Sequence, residues 1–551
     1  MPSETPHWRE LISAELAAIE DRGTVAAIWK REPATWEPPS PGGTPARDAT
    51  GWLDLPDRIH GLVDDLTGFA DEVRDDGFTD VILLGMGGSS LGPLVLGRTF
   101  GMSPGYLRLH VLDSTLPSQI AVIEQQVDLH KTLVLVSSKS GTTIEPLKLA
   151  DHFRDRMTEA GIKQPDSQFI AITDSGTPLE ETARERGFKR VFNGPPDVGG
   201  RFSVLSPFGL VPAALIGIDL SELRKSAVAM AELCGPVNDI QSNPGAIFGA
   251  TLGGLASSGR DKVTIITSPA LGSFGLWIEQ LLAESTGKNG RGLIPVAGEP
   301  HYPPGSYGND RNFVYLRLAD DDNAMTDAHA EALESLDQPV TRLDLSDCYD
   351  MGAEFFRWEF AVAVASTSIS VYPFDQPNVE SGKAVTRELL STPNTSGALT
   401  PSMADIDIDA VKNAKQGDYV AILGFMPESE EVDAAISKLR IAITNRTGVA
   451  TTFGYGPRYL HSTGQLHKGG PGSVIGLALV AGNEEALAAS RVVADGTQES
   501  ARDLNNGFAS LFVAQVLGDL EALRSTGRRN TLVVLKTPYA KAIRRIAESL
   551  S

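Results

Sequence analysis

Short apolar runs set apart by amphipathic stretches dominate the chain from about residue 78 onward. The early ones are Asp80-Val-Ile-Leu-Leu84, Leu107-Arg-Leu-His-Val-Leu112, Thr132-Leu-Val-Leu-Val136 and Phe169-Ile-Ala-Ile-Thr173. Runs this short and this nearly continuous in apolar residues predict strands covered on both faces. Their alternation with helical segments predicts a parallel, doubly wound α/β sheet. A second series, Lys262-Val-Thr-Ile-Ile266, Asn312-Phe-Val-Tyr-Leu316 and Val340-Thr-Arg-Leu-Asp344, predicts a second α/β unit, a divergent duplicate of the first. Beyond Ser391-Thr-Pro-Asn-Thr-Ser-Gly come Tyr419-Val-Ala-Ile-Leu423, Val474-Ile-Gly-Leu-Ala-Leu-Val480 and Thr531-Leu-Val-Val-Leu535, which either complete the second sheet or form an appended lobe. Ahead of all of these, a helical stretch leads into a Pro/Gly-rich run from Pro33 to Gly51 that reads as an arm wrapped on the body. The expected division is residues 1–50 for the arm and linker, 51–235 and 236–390 for the two units, and 391–551 for a C-terminal region completing the second lobe.

Composition narrows the function classes. A chain of 551 residues exceeds what one hydrophobic core usually serves, so at least two packed units are expected. Its 70 acidic against 48 basic residues give a net charge of −22, which argues against nucleic acid or an anionic membrane surface as partner. An anionic substrate would need a local positive pocket. The first residues are polar and acidic, and no apolar run approaches the ~20 residues of a membrane span, so a soluble cytoplasmic protein is expected. Cys234 and Cys348 stand in no metal-binding spacing, which fits a reducing compartment without a disulfide framework.

The candidate chemistry sits where predicted strands end. Gly85-Met-Gly-Gly-Ser-Ser-Leu-Gly92 follows the first strand and opens a helix, the setting in which backbone N–H groups approach a bound anion. As a dinucleotide fingerprint it is imperfect, because Ser90 takes the third glycine's place and the acid ending the next strand is Asp113. The plain alternative is a tight turn. Ser137-Ser-Lys-Ser-Gly-Thr-Thr143 ends the third strand and opens the helix running towards Arg156. Its hydroxyls and free N–H groups converge on the positive end of a helix dipole and Lys139 adds charge, which suits a terminal phosphomonoester. Thr142 and Glu145 also have the spacing of a capping box, which is the structural alternative.

Further along, Gly199-Gly-Arg-Phe-Ser203 places Arg201 behind a flexible pair and ahead of a helix begun by Ser206 and Pro207. Arg201 is suited to stabilising an oxyanion, although an isolated arginine is more often a surface or ion-pair residue. Between Gly275 and Lys288, Ile278, Leu281 and Leu282 supply an apolar helical stripe, while Gln280 and Glu284 share another face. A glutamate is ordinarily solvated; burial here would raise its pKa towards that of a working base. In Phe374-Asp-Gln-Pro-Asn-Val-Glu-Ser-Gly-Lys383, Pro377 suits a first helical position with Lys383 nearly two turns in. In Leu460-His-Ser-Thr-Gly-Gln-Leu-His-Lys-Gly-Gly470, His461 and Gln465 share a helical face and the glycines end it. His461 and His467 make a poor zinc pair, lacking a one-face spacing and a third ligand, and a lone histidine is more often structural. A carboxylate able to take a proton from carbon, beside a phosphate cradle, suggests aldose–ketose chemistry on a sugar phosphate.

Together these motifs resemble the glucose-6-phosphate isomerase family, over roughly residues 50 to 390 in order. The resemblance implies two doubly wound, three-layer αβα subdomains of the sugar-isomerase (SIS) type, flanked by the N-terminal arm and a C-terminal extension. It implies a phosphate loop of Ser138, Lys139, Ser140, Thr142 and Thr143, with Gly88 and Ser89 also facing substrate and Gln280 and Gln376 as substrate-binding glutamines. Arg201, Glu284 and Lys383 fall on the family's catalytic arginine, glutamate and lysine. The family's histidine ordinarily lies between the glutamate and lysine motifs, whereas here the best match, His461, comes 78 residues after Lys383. His301 lies in the expected interval, but its proline-rich setting, Glu299-Pro-His-Tyr-Pro-Pro304, cannot form the required helix, so His461 is preferred. That order resembles the isomerase half of transaldolase–isomerase fusions, without a transaldolase part. The implied reaction interconverts glucose 6-phosphate and fructose 6-phosphate with no metal or redox cofactor. His461 and Lys383 would open the ring, and Glu284 would move a proton between C2 and C1 through a cis-enediol stabilised by Arg201. The competing readings are a noncatalytic SIS-type sugar-phosphate sensor and a nicotinamide-dependent oxidoreductase using Gly85 to Gly92. A homodimer is one option for the assembly.

Overall fold

The structure, a computed structural model, describes residues 7–379, 386, 408–482 and 500–550. Lys383 lies outside them. The described strands form three sheets, and every pairing within them is parallel. The first contains β1 (Asp80–Leu84), β2 (Arg108–Leu112), β3 (Thr132–Ser137), β4 (Phe169–Asp174) and β5 (Arg190–Gly194), in the order β2-β1-β3-β4-β5. The second contains β6 (Lys262–Thr267), β7 (Ile294–Val296), β8 (Arg311–Leu318) and β9 (Val340–Leu345), ordered β7-β6-β8-β9. The C-terminal strands are not added to that second sheet. β10 (Tyr419–Phe425), β11 (Ala450–Tyr455), β12 (Val474–Ala481) and β13 (Arg529–Leu535) form a third, ordered β11-β10-β12-β13.

All three sheets wind alike: the chain enters on an inner strand, steps to one edge, then crosses back towards the other edge. In a sheet of this winding the strand order reverses beside the first strand, and the loops leaving the two strands there diverge into a crevice. In the first sheet that point lies between β1 and β3, so the Gly85–Ser90 and Ser138–Thr143 loops leave neighbouring strand ends. The inner strands β1 and β3 are buried along their whole length, as continuous apolar runs require.

Two further pieces complete the setting. The helix Phe274–Thr286 is buried on nearly every side. It packs against the helices Leu91–Phe100, Met351–Ser368 and Gly464–Gly469, and so touches parts of the chain associated with all three sheets. The segment from Pro33 to Gly51 lies on the body as expected of an arm, in short 3-10 turns and extended backbone, with Trp36 buried. Among the described residues no helix is long and apolar enough to cross a membrane.

Candidate active site

Arg201 is buried, contrary to what an isolated arginine usually does: it lies in a 3-10 turn (Gly200–Phe202) and its side chain is enclosed by the end of the helix Phe274–Thr286 and the stretch 373–376. Its guanidinium is fully engaged. Nε donates to Ser285 Oγ at 2.8 Å, Nη1 to Gln376 Oε1 at 2.9 Å and to Glu284 Oε2 at 3.3 Å, and Nη2 to the carbonyls of Asp375 (3.1 Å) and Pro373. The turn fits closely against the first glycine loop: a Cβ at Gly88 would come 2.0 Å from the Gly200 carbonyl oxygen, so only glycine allows the approach. Gly87 has φ +54°, and a Cβ there would meet the His461 carbonyl oxygen at 2.6 Å and Gln280 Nε2 at 2.8 Å.

Glu284 sits in the last turn of the helix Phe274–Thr286, with only 8% of its surface exposed. Besides Arg201, its Oε2 accepts from Gln280 Nε2 at 3.4 Å, one helical turn earlier. The same amide nitrogen donates to the His461 carbonyl at 3.1 Å, so Gln280 links the carboxylate to the histidine segment. Burial raises the Glu284 pKa above its ordinary value, against the opposing charges of Arg201 and His461. A carboxylate shielded from water, yet facing a guanidinium, is equipped to accept a proton from a weak acid.

His461 arrives from the third sheet's part of the chain, within the same molecule. It does not share a helix with Gln465, as its spacing predicts. His461 ends a 3-10 turn (Arg458–His461), Ser462 breaks the backbone at φ −142° and ψ −87°, and the helix begins at Gly464. The break lets the two side chains part. His461 Nε2 meets Glu145 Oε1 at 2.9 Å, while Gln465 Nε2 donates to the Gly287 carbonyl (2.8 Å) and its Oε1 accepts from Asn378 N (2.9 Å). His467 is buried beside Tyr419, its pKa pushed down to about 3 by burial, and it takes no part in the cluster. His301 lies elsewhere, stacked on His329 at 4.3 Å.

The hydroxyl loop leaves β3 beside these groups. Ser138 Oγ donates to Thr143 Oγ1 at 3.1 Å, and the Ser140 and Thr142 hydroxyls lie 2.9 Å apart. The following helix begins at Ile144 with Thr143 at its N-cap, and that side chain accepts from no backbone N–H. The capping box, the structural alternative for Thr142 and Glu145, therefore does not account for the hydroxyls. Glu145 is instead buried, and it accepts from Gln515 Nε2 (2.7 Å) as well as meeting His461; Gln515 Oε1 in turn accepts from Thr115. Lys139 Nζ donates to Asp174 Oδ2 at 2.6 Å and to the Pro195 carbonyl. Ser89 is buried in the glycine loop's 3-10 turn.

Glu145, Lys288 and Asp375 are the members that motif reading missed. Lys288 closes the Glu-Ser-Thr-Gly-Lys stretch, and a lysine so near an apolar helix was the available signal. It is almost fully buried against Asp375, its pKa pushed down to about 7 by burial and by Arg201.

A phosphoglucose isomerase family model matches residues 58–289, which include both strand-end loops, Arg201 and Glu284. The chain is 30% identical over 398 residues to a glucose-6-phosphate isomerase of Rubrobacter xylanophilus, covering 64% of this chain and 91% of that one. It is 33% identical over 349 residues to a probable glucose-6-phosphate isomerase of Haloquadratum walsbyi, covering 57% and 79%. Among solved structures, a hypothetical protein of Thermus thermophilus superposes with TM-score 0.60 at 25% identity, over 70% of this chain and 97% of its own. A glucose-6-phosphate isomerase of Chlamydia trachomatis shares the fold, with TM-score 0.59 at 19% identity over 70% and 88%.

Proposed function

The chain belongs to the phosphoglucose isomerase family, and from that premise we propose that it interconverts glucose 6-phosphate and fructose 6-phosphate, with Glu284 as the base, Arg201 as the anion stabiliser and His461 as the ring-opening group. The observation carrying the assignment of roles is the buried Arg201–Glu284 pair, tied through Gln280 Nε2 to the backbone carbonyl of His461, from segments far apart in sequence. In this reading the hydroxyls and N–H groups after β3 hold the phosphate at the helix N-terminus, which fixes where C1 and C2 lie. The imidazole of His461, oriented by Glu145, moves a proton between the anomeric hydroxyl and the ring oxygen as the C1–O5 bond breaks. Glu284 then removes the C2 proton. The electrons of that bond form C1=C2, the C1 oxygen gains a proton, and a cis-enediol results. Arg201 offsets the negative charge that develops on its oxygens. Return of the proton to C1, with loss of the O2 proton, gives the ketose. Lys383 is kept as an assistant to His461. A cytoplasmic setting belongs to the same reading, supported by the net charge of −22 and the free Cys234 and Cys348.

Two expectations test the parts. Ser140→Ala and Thr143→Ala should each raise KM with kcat largely kept, because a lost hydrogen bond to a charged group costs about 1.5–3 kcal/mol. Inhibition by inorganic phosphate should weaken in parallel; unchanged KM and phosphate inhibition in both variants would remove the loop from the site. The second expectation concerns pH. Glu284 must be ionised to act, and its pKa is raised by burial, so kcat/KM falls on the acid side above the ordinary glutamate range. Arg201 holds that pKa down. Arg201→Gln should therefore shift the acid limb of the residual activity to higher pH, and a limb that stays put or moves lower contradicts the pairing.

A further inference from the structure

The Arg201 guanidinium takes three of its acceptors from one irregular stretch, the carbonyls of Pro373 and Asp375 and the side chain of Gln376. Where Arg201 points therefore depends on what holds residues 372–376. Two things do. On one side is Lys288, whose Nζ donates to the Tyr372 carbonyl (2.7 Å), the Asp375 carbonyl (2.5 Å) and Asp375 Oδ1 (2.8 Å). On the other is the N-terminal arm. Ser40 N donates to Asp375 Oδ2 at 2.7 Å, the Tyr372 hydroxyl donates to the Thr44 carbonyl at 2.5 Å, and Trp36 packs edge-on against Phe374 with ring centroids 5.0 Å apart. Trp36 is itself fixed by a 2.8 Å hydrogen bond to the Ala363 carbonyl.

We propose that Asp375 is a positioning residue for Arg201, and that the N-terminal arm, acting through it and through Tyr372, sets the arginine opposite the reacting carbons. The carboxylate is divided between two tasks, with Oδ1 on the buried lysine and Oδ2 on the arm. Its own backbone carbonyl receives Arg201 and Lys288 together. Burial works against the ionised form, but the Lys288 charge and hydrogen bonds outweigh it and keep the carboxyl below its ordinary range. The arm thus braces a loop whose carbonyls aim the guanidinium. This inference rests on the reading of Arg201 as anion stabiliser.

The prediction follows from where Arg201 acts. Phosphate binding anchors the substrate elsewhere, so a displaced arginine should slow the chemical step and leave substrate affinity alone. Asp375→Asn keeps the shape and removes the charge. It should lower kcat by about 10- to 100-fold with little change in KM, since small misplacements of a catalytic group cost rates of that order. Affinity for a phosphorylated hydroxamate that mimics the enediolate should fall by the same factor. Tyr372→Phe, which deletes only the hydroxyl reaching Thr44, should move kcat and hydroxamate affinity in the same direction by less, and it decides the matter alone if Asp375→Asn does not fold. Arg201→Gln is the reference. If it leaves kcat unaffected, the reading of Arg201 fails and this inference with it. If Arg201→Gln lowers kcat while the other variants keep parental kcat and hydroxamate affinity, even with a lower Tm, then the arm is structural only and the proposal is overturned.

Discussion

The Glu284→Gln enzyme should isomerise glucose 6-phosphate about a hundred- to ten-thousand-fold more slowly than its parent, the usual cost of losing a positioned general base. Its affinity for the sugar phosphate should stay near the parental value. The substitution suits the site because the amide has nearly the volume of the carboxylate, and its oxygen can still accept from Arg201 Nη1 and Gln280 Nε2. The neighbouring side chains then keep their places, and the lost property is the ability to take a proton from C2. Isothermal titration with a substrate analogue alongside steady-state turnover separates the two. Near-parental turnover would remove Glu284 from the reaction, and joint loss of binding and turnover would make it a structural residue.

The second large effect separates two histidines. His461→Ala should slow turnover of the cyclic substrate about 10²- to 10⁴-fold, as removal of a proton-transfer group does, and should slow a sugar phosphate already in the open-chain form far less. His301→Ala should leave both rates at the parental level. The contrast rests on position: His461 Nε2 is held at 2.9 Å by a buried glutamate, and its backbone is tied to Gln280 next to Glu284. His301 stacks on His329 and contacts none of these groups. Stopped-flow comparison of the two substrates with both variants checks it. A ring-opening defect in His301→Ala, with His461→Ala intact on the cyclic sugar, would reverse the assignment.

How much of this was legible depended on distance along the chain. Strands with partners on both sides, such as β1, β3, β8 and β12, announce themselves as apolar runs because both faces must be covered. Those that escaped notice, β5, β7 and β11, are all edge strands. β5 carries Arg190, Asn193 and Gly194, β7 is three residues with Pro295 at its centre, and β11 is broken by threonines and Gly454. An edge strand needs no continuous apolar run, so local pattern finds the edges that keep one, as β2, β9 and β13 largely do, and passes over those that do not. At the site, Glu284 and the hydroxyl loop were readable because each combines a strand or helix end with unusual chemistry. The Ser462 break was not, and it turned an expected helical face into two separate side-chain directions. Glu145 looked like a cap because a glutamate early in a helix usually is one; its tie to His461 spans 316 positions. Lys288 and Asp375 pair across 87 positions, and no local spacing encodes that. The pairing of Lys139 with Asp174 from the next strand, 35 positions on, was likewise not encoded in the loop.

In the proposed mechanism Glu284 carries the proton between C2 and C1. The direct test is hydrogen exchange at C2 of glucose 6-phosphate in D2O, followed by proton NMR with parental enzyme and with Glu284→Gln. The parental enzyme should replace the C2 proton with deuterium as isomerisation proceeds, and Glu284→Gln should leave the C2 signal intact over the same period. Exchange at C2 by Glu284→Gln at a rate close to the parental one would contradict the account.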